Sequence, residues 1–115
     1  MGVNTQGIIH SQYKLNDIVE VLSKKFKVNI TVEKTHTEDY KIASFTYKDE
    51  KRRLSIFENY NDKQHVGFAG VGKVTLLDLN LWGSSIELIE GIVKEFGGYV
   101  VNNDCSDDWR HIEAI

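Results

Sequence analysis

The chain has 115 residues, 41% of them hydrophobic and 27% charged, with a formal net charge of −3. That size and balance fit a single domain with one core and exclude a long disordered chain. A net acidic chain is a poor general nucleic-acid binder, because such binding draws on many Lys/Arg contacts to phosphate.

No apolar run approaches the roughly 20 residues needed to cross a bilayer. Met1 to Tyr13 lacks a basic segment followed by an apolar one, so no signal peptide is expected. Met1-Gly2 would suit myristoylation, but Gln6 stands where Ser or Thr is required. The single cysteine, Cys105, cannot form an internal disulfide, which fits a reducing compartment and a cytoplasmic location.

The charge is unevenly placed. Residues 1–75 hold 12 Lys/Arg and 9 Asp/Glu, a net of +3. Residues 76–115 hold 2 Lys/Arg and 8 Asp/Glu, a net of −6. An acidic C-terminal third suggests a surface that meets something basic.

Proline is absent, so turns must come from Gly, Asn and Asp. Ile8 to Tyr13 could supply an N-terminal strand. Leu15 to Lys27 reads as a helix, with Leu15, Ile18, Val19, Leu22 and Phe26 in one apolar stripe. Asn16 is the expected N-cap, and Lys24, Lys25 and Lys27 suit the C-terminal end of the dipole.

Strands are expected over Val28 to Glu33, Tyr40 to Tyr47 and Arg53 to Tyr60, the last two forming a hairpin around Lys48-Asp49-Glu50-Lys51. In its second arm Leu54 and Ile56 face one way, Ser55 and Phe57 the other. Lys73 to Leu81 reads as a central strand, with Thr75, Leu77, Leu79 and Leu81 on one face.

The second helix has the clearest local signals. Ser84-Ser85-Ile86-Glu87 matches a capping box, and Ile86, Ile89, Val93 and Phe96 form a core stripe. Glu90 and Lys94 are an i,i+4 pair on the wet side. Gly97-Gly98 stops the helix, and Tyr99 to Val101 is a short strand before a polar tail. The expected fold is one α+β domain over residues 1–115. It has two layers: a mostly antiparallel sheet of about four to six strands, with two helices on one face.

Chemical motifs fail on inspection. Gly67 to Val74 nearly matches a phosphate-binding loop, but Val74 replaces the required hydroxyl, and a strand rather than a helix is expected to follow. Asn102, Asp104, Ser106 and Glu113 fall at calcium-loop positions, yet Asp107 stands where Gly is needed. His10, His36, His65 and His111 have no zinc-ligand spacing with Cys105. No catalytic, cofactor or metal residue is therefore assigned. Lys51-Arg52-Arg53, near Lys48, Tyr47, Phe57 and Tyr60, could stack and neutralise single-stranded bases. It reads better as a charged hairpin end protecting a sheet edge. Trp82 reads as core packing. Trp109, close to Asp104, Asp107 and Asp108, has the composition of an interface anchor with a charged rim, or of a ring folded back over the second helix.

Trp82-Gly83-Ser84-Ser85, Phe96-Gly97-Gly98-Tyr99 and Asn103-Asp104-Cys105 followed by Asp107-Asp108 resemble the C-terminal pattern of small bacterial proteins. In size, acidity and element order the chain is also similar to immunity proteins of bacterial toxin systems, including contact-dependent inhibition. The resemblance implies a non-catalytic module that covers the basic active-site cleft of a toxin domain, a nuclease being one class of target. It would do so through Asp104, Asp107, Asp108, Trp109 and Glu113, without cofactor or membrane. The alternatives are a phage- or plasmid-borne inhibitor of a host nuclease, a small hydrolase using His and Asp residues, a nucleic-acid module and a homodimer joined at a sheet edge.

Overall fold

The computed structural model describes residues 4–61, 73–80, 83–103 and 108–115. The chain order is β1 (Asn4–His10), α1 (Leu15–Val21), β2 (Thr31–Lys34), β3 (Tyr40–Tyr47), β4 (Glu50–Asn61), β5 (Lys73–Asn80), α2 (Ser85–Phe96), β6 (Gly98–Val101) and β7 (Arg110–Ile112). One sheet of order β2-β3-β4-β5-β1-β6-β7 contains all seven strands, and every pairing is antiparallel.

The α+β class is as expected, but the strand count exceeds about four to six. Two strands account for the excess. The sequence implies β1 only as an optional strand from Ile8, because Asn4 to Gly7 lack an apolar alternation, yet it lies between β5 and β6. β7 has three residues, too short for any periodic signal.

Both helices pack on one face of the sheet. Ile18 and Leu22 of α1 and Leu88, Ile89, Ile92 and Val93 of α2 are fully buried against it. They meet Ile9, Leu54, Ile56, Leu77 and Val100 in one apolar cluster. The side-chain period of two sets this face: Leu77 and Leu79 point to the helices, as the leucine spacing implies.

α1 starts two residues earlier than Asn16 suggests. Lys14 is its N-cap, because the Asp17 carboxylate accepts from the Lys14 N–H (3.0 Å) and Glu58 accepts from the Leu15 N–H (2.9 Å). Two carboxylates thus satisfy donors that helix geometry leaves open. The helix then widens into a π turn over Leu22–Phe26 and ends at Lys27, whose φ is 55°. The wide turn carries the Phe26 ring onto Gly91 of α2, where an added Cβ would lie 2.3 Å from the ring.

β2 is shorter and later than Val28 to Glu33. Val28 and Ile30 pack against the core as a lead-in rather than pairing. The β3–β4 hairpin turns on two residues only. Lys48 and Asp49 have φ of 51° and 64°, the geometry of a tight hairpin turn. β4 is therefore longer than expected, twelve residues, with a register shift between Phe57 and Tyr60 where Asn59 takes φ 55°.

The capping box at α2 does not form. Ser84 makes no side-chain cap bond, and its hydroxyl instead donates to Glu50 (3.2 Å). Glu87 pairs with Lys48 (3.0 Å) rather than reaching back. The hairpin end brings charged partners to both residues, and these long-range bonds take the place of the local ones. Gly97, at φ 84°, ends the helix as its sequence implies. Among the described residues no helix is long and apolar enough to cross a membrane.

Candidate functional site

The sheet face opposite the helices carries the most distinctive side-chain arrangement. Ile8 lies between Gly7 and Ile9, which face α2 and the core, so it points away from the helices. Pairing places Tyr40 beside Phe57, Phe57 beside Leu76, Leu76 beside Ile8, Ile8 beside Tyr99, and Tyr99 beside His111. A single row of aromatic and apolar side chains thus crosses from β3 to β7. The Tyr40 and Phe57 rings stack at 4.6 Å with an interplanar angle of 2°, and Tyr60 lies 6.3 Å from Phe57. Tyr99 and His111 are 5.1 Å apart.

Ile8, Val74 and Leu76 form a second apolar cluster on this face, with Phe57, Tyr60, Tyr99 and Trp109 packed against it. This corrects the reading of Trp109 as a ring folded back over α2. The ring is half-buried, and it lies on the helix-free face rather than over α2. It is continuous with the aromatic row.

A carboxylate sits beside that row. Asp78, in β5 between Ser55 and Gln6, accepts from Asn4 Nδ2 (2.6 Å) and Gln6 Nε2 (2.7 Å). Two amides therefore hold a charged group in the middle of the sheet. Tyr40 and Ser55 share a hydroxyl contact at 3.3 Å next to it. Aromatic faces around a fixed carboxylate attract Arg and Lys side chains and repel phosphate.

The sequence-predicted residues fall as follows. Asp108 and Glu113 are exposed on either side of β7, and Trp109 adjoins the aromatic row. Asp104 and Asp107 lie outside the described residues, as do Cys105, Trp82, His65 and the glycine-rich stretch from Gly67 to Gly72. Asp108 lines an open hollow of about 390 Å³ with Asn102, Asn103 and Arg110. Arg110 donates to Asn102 (2.9 Å) and to Glu90 of α2 (3.4 Å).

The charge division along the chain does not become a clean division in space, because Lys41, Lys48, Arg52 and Arg53 face Glu58, Glu87, Glu50 and Glu33. Lys41, Lys48, Lys51, Arg52 and Arg53 belong to β3, β4 and their turn, at the β2 end of the sheet. Glu87, Glu90 and Glu95 belong to α2, and Asp108 and Glu113 flank β7 at the other end.

Sequence reading missed Tyr40, Asp78 and Tyr99 as site members. The signal for Asp78 was present: a carboxylate inside a leucine-rich strand needs partners or a role. The aromatic row itself needed the strand order. Among the described residues no three or more His, Cys, Asp or Glu side chains lie close enough to hold a metal ion. His36 sits in the β2–β3 loop, far in sequence from His10 on β1 and His111 on β7.

No protein-family model, curated protein or solved structure matches this chain.

Proposed function

We propose that this chain is a non-catalytic protein-binding module of the immunity type, which covers the basic cleft of a toxin domain, a nuclease being the foremost class. The observation that carries the reading is the aromatic row around the amide-held Asp78, on the same sheet face as Trp109. Such a face offers rigid rings at low entropic cost and an amide-held, half-buried carboxylate for Arg or Lys, which is how interface anchors with polar rims work. The acidic C-terminal segment would steer a basic partner and compete with its phosphate substrate.

The test is capture of a basic partner by the full chain, with charge-reversed variants alongside. Asp108→Lys and Glu113→Lys change exposed groups and leave the core untouched. The proposal expects a stoichiometric basic protein whose retention falls with salt and with either reversal. Trp109→Ala should weaken that complex by roughly 2 kcal/mol, as for an anchor residue. A partner held equally by all variants, or none held by the wild type, would overturn the assignment.

A further inference from the structure

The basic end of the hairpin lies beyond the aromatic row, and it has a cavity of its own. An open hollow of about 590 Å³ lies at the corner of β2, β3 and β4, within the size range of small-molecule sites. It exists because the chain before β2 diverges from β3. Pairing between them stops at Thr31 opposite Ser44, while β3 continues to Tyr47 against β4. Lys27 enters this gap in left-handed backbone, φ 55°, directly after the π turn. A left-handed φ is costly for a residue other than glycine, and such strain and π turns both recur at functional sites.

Four cations line the hollow: Lys27, Lys51, Arg52 and Arg53. Two of them are already compensated. Arg52 is buried and faces Glu50 (3.9 Å), and Arg53 forks onto Glu33 at 3.0 and 3.2 Å. Lys27 and Lys51 are exposed, and neither makes an ion pair with any described residue. The hollow thus holds a surplus of two positive charges. Thr31, Thr46 and Asn29 add hydroxyl and amide donors to its wall.

We propose that this corner binds the phosphate group of a small phosphorylated molecule, with Lys27 and Lys51 supplying the charge and Thr31, Thr46 and Asn29 the hydrogen bonds. Two surplus cations match a phosphate dianion better than a single carboxylate. A continuous nucleic-acid strand fits less well. Along the same sheet face Glu33 is already taken by Arg53, and the next charged group is Asp78, which would repel a further phosphate.

The full chain is titrated with inorganic phosphate, then with ribose 5-phosphate, at about 20 mM salt, following backbone amide shifts by NMR. Saturable shifts at Lys27, Asn29, Ser44, Thr46 and Lys51 are expected, with ribose 5-phosphate binding more tightly than phosphate alone. Lys27→Gln combined with Lys51→Gln should weaken binding at least about tenfold while leaving the thermal midpoint unchanged. Shifts that fail to saturate, that spread evenly over Lys14 and Lys73, or that survive in the double variant would overturn the site. A ten-nucleotide single strand that saturates the same amides more tightly than ribose 5-phosphate would overturn the choice of a small ligand.

Discussion

The contact between Glu50 and Arg52 decides how the hairpin is fastened to α2. Glu50 accepts from the Ser84 N–H (3.3 Å) and hydroxyl (3.2 Å) at the start of the helix, and its other oxygen lies 3.9 Å from Arg52. Arg52 is 3% exposed and donates to the Asn80 carbonyl (3.3 Å) and to Ser85. A carboxylate therefore sits between a buried guanidinium and a helix N-terminus. At this separation two unit charges interact by about 4 kcal/mol for an effective dielectric near 20. The Glu50 side chain is 30% exposed, so solvent screening removes about half of that.

Glu50→Gln keeps the shape and the Ser84 contacts but removes the charge. It should cost about 2–3 kcal/mol, of which about 0.3–1 kcal/mol belongs to the helix terminus. The assay is a double-mutant cycle by urea denaturation, with Glu50→Gln, Arg52→Met and the pair together. A coupling energy of about 1–2 kcal/mol is expected. Coupling below about 0.3 kcal/mol would refute the reasoning, leaving Glu50 as a helix cap that ignores Arg52.

Three further outcomes follow from the packing. Gly98→Ala should destabilise by about 1–3 kcal/mol in denaturant titration, since its Cβ would lie 2.0 Å from the Ile8 carbonyl oxygen and must force β1 and β6 apart. Leu77→Ala, fully buried at the centre of the sheet, should cost about 2–5 kcal/mol with no change in the denaturant slope. The Ser44 hydroxyl, and after it Arg53, hold the Glu33 carboxyl below the ordinary glutamate range. Because that value is lowered on folding, its contribution is complete above the ordinary range and fades as pH falls through the folded value. Carboxyl NMR should show Glu33 titrating low, and returning toward the ordinary range in Ser44→Ala.

Local signals carried much of this fold. The apolar stripes of both helices, the leucine face of β5 and the opposite facing of Ile56 and Phe57 all follow from side-chain period, and the structure keeps them. What sequence did not carry was contact between distant segments. Ser84 and Glu87 form a capping pattern by spacing, but Glu50 and Lys48 reach them from 34 and 39 residues away. The start of α1 likewise depends on Glu58, 43 residues off. The aromatic row follows the same logic. Tyr40, Phe57, Tyr99 and His111 become neighbours only once β1 is inserted between β5 and β6 and β7 is added outside. A three-residue strand and a polar first strand give no periodic trace that would place them there.

The central claim is that the helix-free face and the adjoining C-terminal segment form the binding surface. The most direct measurement is NMR of the full chain with the captured basic partner, following aromatic side-chain resonances. Tyr40, Phe57, Tyr60, Tyr99 and Trp109 should shift together, while the exposed faces of α1 and α2 stay unchanged. Shifts confined to the helices, with these rings undisturbed, would contradict that claim.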